Sequence, residues 1–307
     1  MELIKIKGVS KSFSSNQVLR DINLSIPAGG IFGIIGINGS GKTTLLKVLI
    51  GFYNSDKGEV FFKGRDIKKQ DISRSFGFAT QDNCFYDKLT VEENIKYFGR
   101  LYGLKEDFIN EHMKNLLLLV KLYDAKDKVA DELSSGMKRR LDLACALIHD
   151  PEVLILDEPT EDLDPSLRSD MLHLIRKISK SGRTIIMTSH LLGEVESVCD
   201  RIAILHDATI IKSGTPNTIK DSYSKDDEIH LETLNKEYDN LIKKIGKRGV
   251  SKIIHHGNRL VIYSSQAGEL LKRILSLVKG KDKIIMLNVS RPSLNEVFES
   301  LTKKRER

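Results

Sequence analysis

The chain has 307 residues, 40% hydrophobic and 30% charged, the balance of a globular protein large enough for two domains and a substantial core. No apolar stretch approaches the ~18 residues of a membrane-spanning helix, and the opening Met1–Lys7 alternates like a strand rather than forming the apolar core of a secretion signal. The net charge of +7 is uneven: residues 1–215 carry 30 basic and 30 acidic side chains, residues 216–307 carry 19 and 12. A basic second part fits a solvated lysine-rich surface, an anionic lipid or acidic partner, or nucleic acid, although it lacks the aromatic–basic interleaving of a base-stacking platform. The three cysteines, Cys84, Cys145 and Cys199, show no metal or disulfide spacing. They read as reduced cytosolic thiols, with Cys145 and Cys199 on helices.

In chain order, strands are expected near 2–7, 22–26, 31–35 and 58–63. The third feeds Gly36-Ile37-Asn38-Gly39-Ser40-Gly41-Lys42-Thr43-Thr44, and a helix follows from Thr43 to Ile50, closed by Gly51. A strand, a glycine-rich turn and a helix N-terminus point backbone N–H groups and partial positive charge at one spot, which suits a nucleoside polyphosphate. Gly36, Gly39 and Gly41 allow the tight path. Lys42 can reach terminal phosphates, and the Thr43 hydroxyl can ligate Mg²⁺.

A strand at 76–79 leads to Gln81 and a helical insertion, with helices at 91–98 and 106–121. Thr90 is the expected N-cap, and Glu93 completes a capping box. Leu116–Val120 reads as core packing. Ser134 is an N-cap candidate for the helix that follows, expected over 141–148. Pro151–Leu156 is a buried strand that ends in Asp157-Glu158. Asp157 is placed to hold Mg²⁺, through water. If side chains alternate, Glu158 points the other way and can polarise the water that attacks a γ-phosphate. Strands at 184–189, 201–205 and 209–212 follow, and Gly214-Thr215-Pro216 punctuates the end.

Beyond it, strands are expected at 227–234, 251–255, 259–263 and 283–289, with helices at 235–245 and 267–278. This β-α-β-β-α-β order predicts a small α+β ferredoxin-like domain. A last helix runs over 293–303. His255-His256 has no third ligand nearby and is not expected to bind metal.

The ordered set of 36–44, Leu133-Ser134-Ser135-Gly136-Met137 and Val153–Glu158 resembles the ATP-binding subunits of ABC transporters, over about residues 1–215. Residues 36–44 resemble their Walker A motif, 153–158 their Walker B and 133–137 their signature sequence. The resemblance implies an α/β P-loop NTPase domain at 1–215, with a helical subdomain at about 84–150 and an accessory domain at 216–307. It implies ATP and Mg²⁺ as cofactors. Two nucleotide-binding domains, as a homodimer or heterodimer, would close head-to-tail, so that Ser134 and Gly136 of one chain face the phosphate loop of the other.

The resemblance implies further roles. Phe13 would stack on adenine, Gln81 would sense Mg²⁺ and water, and Asp164 would be the D-loop aspartate. His190 would contact the γ-phosphate. Expected partners are integral membrane permease subunits, with the chain peripheral on the cytoplasmic face and no nucleic acid partner. Met137 and the tail Pro292–Thr302 resemble the drug-resistance and sodium-export group. The chain departs from the usual family pattern at Ser135 and at Glu161-Asp162, where glycine and small residues are common. Two other readings are a soluble ATPase of this superfamily acting on ribosomes or DNA, and a non-catalytic binding module.

Overall fold

A computed structural model describes residues 2–223, 226–246, 248–279 and 282–303. The chain divides into two compact units, Met1–Thr215 and Pro216–Arg307.

Unit 1 contains, in order, β1 (Glu2–Phe13), β2 (Asn16–Pro27), β3 (Gly30–Ile35), α1 (Lys42–Leu49), β4 (Lys57–Phe62), β5 (Arg65–Asp66), α2 (Lys69–Ser75), β6 (Phe76–Ala79), α3 (Val91–Leu101), α4 (Glu106–Leu119), α5 (Ser135–Leu147), β7 (Val153–Leu156), α6 (Pro165–Ser179), β8 (Thr184–Ser189), α7 (Leu192–Val198), β9 (Arg201–His206) and β10 (Thr209–Gly214). Two sheets enclose the core. One is antiparallel, in the order β2-β1-β4-β5; the other runs β10-β9-β3-β8-β7-β6. In the second sheet every pair from β9 to β6 is parallel, and β10 is an antiparallel edge. The parallel strands are near-continuous apolar runs because both faces are covered: all six residues of β8 and all four of β7 are buried.

Several elements differ from the sequence expectations. The first two strands are longer, because β1 and β2 form one hairpin with register shifts that let it extend past the apolar stretches. The helix capped by Ser134 begins at Ser135, not near 141: the Ser134 Oγ accepts the Met137 N–H at 3.4 Å. Its first turn, Ser-Gly-Met-Lys, has no apolar periodicity, so only the cap marks it. α6 has no counterpart in the expectations. It starts from an Asp164 cap with Pro165 at its first position and buries Met171, Leu174, Ile175 and Ile178. The Thr90–Glu93 capping box forms as expected, with both bonds present. Within 116–120, Leu116, Leu117 and Val120 are buried, but Leu118 is exposed. Cys145 lies on α5, whereas Cys199 is the residue that ends α7.

Unit 2 comprises α8 (Pro216–Tyr223), β11 (Asp227–Thr233), α9 (Asp239–Ile245), β12 (Lys252–His256), β13 (Arg259–Ser264), α10 (Ala267–Val278), β14 (Ile284–Ser290) and α11 (Leu294–Lys303). Its antiparallel sheet has the order β12-β13-β11-β14. With the β-α-β-β-α-β sequence of elements, this is the ferredoxin-like arrangement. Ile229, Leu231, Leu260 and Ile262 of the sheet pack with Ile245 of α9 and Leu270 and Ile274 of α10. α9 is shorter than expected, because 235–238 carry a turn in which the Tyr238 hydroxyl bonds to Thr233 N and Asn258 O. The side chain of His256 lies outside the described ones.

Candidate active site

Ridges of apolar residues fix the parallel sheet, and its C-terminal edge collects the chemistry. Ile35 of β3 pairs with Ser189 of β8, Met187 of β8 pairs with Leu156 of β7, and Leu156 pairs with Ala79 of β6. Four neighbouring strands therefore end side by side. They deliver Gly36–Thr44, Thr188 to His190, Asp157-Glu158 and Gln81 to one edge, where α/β folds bind ligands.

The turn after β3 needs glycine for steric reasons. A Cβ on Gly36 would lie 2.4 Å from Leu205 O and 2.5 Å from Ser40 Oγ. Gly41 has φ +104, and a Cβ there would lie 2.8 Å from Val18 O. α1 begins directly after it, so its free N–H groups face the turn. The Ser40 hydroxyl is buried there without a protein partner. A cleft of about 350 Å³ opens above, lined by Val18, Asn38, Gly39, Gly41, Lys42, Thr43, Thr44, Gln81, Glu158 and Glu161. Its donors suit phosphate. The Thr43 hydroxyl, the Gln81 amide and the Asp157 carboxylate are hard oxygen ligands of the kind Mg²⁺ takes.

Lys42 is buried and satisfied. Its ammonium lies 2.9 Å from Gly36 O, 3.2 Å from Ile37 O and 3.0 Å from Glu158 Oε1. The other Glu158 oxygen is 3.0 Å from His190 Nδ1. A carboxylate only accepts, so His190 Nδ1–H is the donor in this contact. Lys42, Glu158 and His190 thus form one continuous chain of contacts.

Glu158 does not reach this place by strand alternation. β7 ends at Leu156, and Glu158 has φ 49, the left-handed region that a non-glycine residue rarely adopts. Thr188 holds the turn. Its hydroxyl donates to Asp157 Oδ1 at 2.6 Å and accepts the Glu158 N–H at 2.9 Å. Sequence reading missed Thr188. The available signal was a hydroxyl two residues before His190, directly after the apolar run Ile185–Met187.

Gln81 stands across the cleft. Its Nε2 donates to Glu161 Oε2 at 2.6 Å, and its backbone carbonyl accepts from Arg139 Nη1 at 3.0 Å. Arg139 also binds Thr80 O at 2.8 Å, and Asp142 of the same helix accepts the Cys84 N–H at 3.0 Å. Burial pushes the Asp142 carboxyl up to about 7. Four expected residues stand apart. Phe13, at the hairpin tip, packs edge-on against Tyr53 with ring centroids 5.1 Å apart and does not line the cleft. Ser134 and Gly136 sit at the start of α5 and do not line it either. Asp164 caps α6, accepting from Ser166 N and Leu167 N at 3.0 Å each.

Residues 19–161 match the family model of the ABC transporter domain, and residues 214–302 match the C-terminal domain of DrrA1-3-like ATP-binding proteins. The chain is 32% identical to the Nod factor export ATP-binding protein I of a Rhizobium species (strain N33), covering 97% of this chain and 96% of that one. It is 31% identical to the linearmycin resistance ATP-binding protein LnrL of Bacillus subtilis, covering 98% of both. The chain belongs to the ATP-binding subunits of ABC transporters. Among solved structures, cbiO1 of Clostridium perfringens, part of an ABC transporter complex, matches with a TM-score of 0.67 and 30% identity over 71% of this chain and 90% of that one. The ADP conformation of the ATP-binding cassette MJ1267 matches with a TM-score of 0.65 and 26% identity over 70% and 91%. As a member of the ABC ATPases the chain binds nucleotide and hydrolyses ATP to power transport. No described helix is long and apolar enough to cross a membrane.

Proposed function

We propose that this chain powers export through separate membrane permease subunits, hydrolysing ATP in the cleft between Lys42 and Gln81. The observation that carries the reading is the contact chain from Lys42 through Glu158 to His190, at 3.0 Å and 3.0 Å, beside the phosphate turn. Phosphate oxygens at the turn compete for the Lys42 ammonium, and the Glu158 oxygen now paired with it is released to accept a proton from water. That water attacks the γ-phosphorus. The new O–P bond forms as the bridging bond to the β-phosphate breaks, and ADP leaves. His190 Nδ1–H holds the second Glu158 oxygen, and an Nε2–H would donate to a γ-phosphate oxygen. Thr43, Gln81 and Asp157 would hold Mg²⁺, which would supply charge neutralisation on the phosphates. Asn38, Gly39, Ser40, Gly41 and Thr44 cradle the phosphates, and Phe13 receives the adenine.

Ser134 and Gly136 lie outside the cleft of their own chain. This fits a site completed by a second nucleotide-binding domain, whose α5 N-terminus faces the γ-phosphate. Closure over ATP and reopening after hydrolysis then transmit movement, because a ligand bound across the seam shifts the equilibrium by its differential affinity. The segment after Gln81 carries the exposed pair Tyr86 and Tyr97, hydroxyls 3.1 Å apart, beside the exposed Leu101. We assign the permease contact to this patch and propose that the chain is peripheral on the cytoplasmic face of the membrane. Export, rather than import, rests on the export and resistance names of the full-length relatives.

Affinity purification of the tagged chain from its own cells in mild detergent tests this. A polytopic membrane protein in stoichiometric amount is the expected result. Ribosomal or DNA-bound proteins with no membrane partner would overturn the transporter reading.

A further inference from the structure

Glu161 is one of the residues that set this chain apart from the common family pattern, and it lines the cleft. The turn that follows β7 puts it there: Glu161 N donates to Glu158 O at 3.1 Å, so the two carboxylates leave opposite ends of one four-residue turn. Glu161 is partly buried and meets Gln81, whose Nε2 lies 2.6 Å from its Oε2. Gln81 is gripped at its other end, where Arg139 Nη1 binds its backbone carbonyl at 3.0 Å.

A primary amide has two faces of opposite hydrogen-bonding character: an –NH₂ that donates and an oxygen that accepts. An ionised carboxylate can meet only the first. We infer that Glu161 is the positioning residue for Gln81: it takes the amide –NH₂ and leaves the amide oxygen as the end that meets a divalent cation. The bond is charge-assisted, and such bonds are about twice as strong as neutral ones. It removes the flipped orientation, in which an N–H₂ would confront the cation. The inference rests on the reading of Gln81 as a cation ligand. It deepens that reading by assigning Glu161 a role that acts through Gln81.

Mn²⁺ titration of the full chain with a non-hydrolysable ATP analogue, following the electron paramagnetic resonance signal of free Mn²⁺, tests it. Four chains are compared: wild type, Glu161→Ala, Gln81→Ala and the double variant. Loss of a residue that orients a metal ligand costs at least about tenfold in metal affinity. Glu161→Ala is expected to weaken Mn²⁺ binding by about that factor, and the double variant is expected to bind no worse than Gln81→Ala alone. Mn²⁺ affinity is read at saturating analogue, so a change in binding of the analogue alone does not enter the comparison. If Gln81→Ala weakens binding and Glu161→Ala does not, the positioning role is wrong while the ligand reading stands. If the double variant adds the full Glu161→Ala factor to that of Gln81→Ala, Glu161 acts on the cation itself and the inference fails. If Gln81→Ala binds Mn²⁺ like wild type, the underlying ligand reading fails, and the inference falls with it.

Discussion

Thr188 is fully buried, and its single hydroxyl joins two residues of the site. Replacing it by valine conserves shape and removes only that oxygen. Two losses follow. The 2.6 Å bond to the Asp157 carboxylate disappears, worth about 1.5–3 kcal/mol for a hydrogen bond to a charged group. The Glu158 N–H, now 2.9 Å from the hydroxyl, is left buried without an acceptor, at a cost of about 1–3 kcal/mol. The losses share one atom and are not simply additive, so the expected destabilisation is roughly 3–5 kcal/mol. For a unit of 215 residues each kcal/mol moves the midpoint by about 2–4 °C, so Thr188→Val should lower the Tm of unit 1 by about 10 °C. Thr188→Ser keeps the hydroxyl and should lose far less. Turnover should fall as well, because the left-handed backbone at Glu158 loses its anchor. Scanning calorimetry of the three chains, with ATP hydrolysis measured below both transitions, is the assay. A Thr188→Val chain within 2 °C of wild type, on a scale of about 10 °C expected, would refute the reasoning. So would a serine variant that falls as far as valine.

The remaining expectations concern the helix behind Gln81 and the phosphate turn. Asp142 is buried and its carboxyl is pushed up to about 7, above its ordinary value of 3.8, so the folded chain holds a proton that the unfolded chain releases. Stability contributed by this group is therefore lost as pH rises from about 4 to about 7, with a slope of at most ~1.4 kcal/mol per pH unit. Asp142→Asn, which can still accept the Cys84 N–H, should be more stable than wild type at pH 8 and nearly equal at pH 4; equal urea midpoints at both pH values would contradict this. Lys42→Ala removes the only buried cation at the phosphate turn among the described residues that line the cleft. It should abolish ATP binding in a filter or fluorescence assay, and normal ATPase activity in that variant would remove Lys42 from the site.

The sequence was most informative where short-range chemistry is strict. The phosphate turn is legible because backbone geometry at Gly36 and Gly41 tolerates no side chain, and that restriction shows in the residue types. The strands of the parallel sheet are legible because burial on both faces demands unbroken apolar runs. Unit 2 is legible from alternation and spacing, and its sheet order follows from the element order. What stayed hidden depends on contacts distant in sequence. Thr188 looks like one more strand residue until β8 is laid beside β7. The placement of Glu158 follows from a left-handed turn held by that hydroxyl, which a period-2 rule cannot anticipate. α6 was concealed because its apolar face is interrupted by charged residues and its start is marked only by Asp164-Pro165. Gln81 and Glu161 are 80 positions apart, so their bond is visible only in the fold.

Glu158 is the residue on which the whole account turns, and the most direct measurement compares Glu158→Gln with wild type. Glutamine keeps the shape and a hydrogen-bond acceptor for His190 but cannot take a proton from water. Nucleotide binding should persist, kcat for ATP hydrolysis should fall at least about a hundredfold, and the variant should retain unhydrolysed ATP through gel filtration. Equal kcat in the two chains would contradict the account, and the base that activates water would have to be sought elsewhere in the cleft.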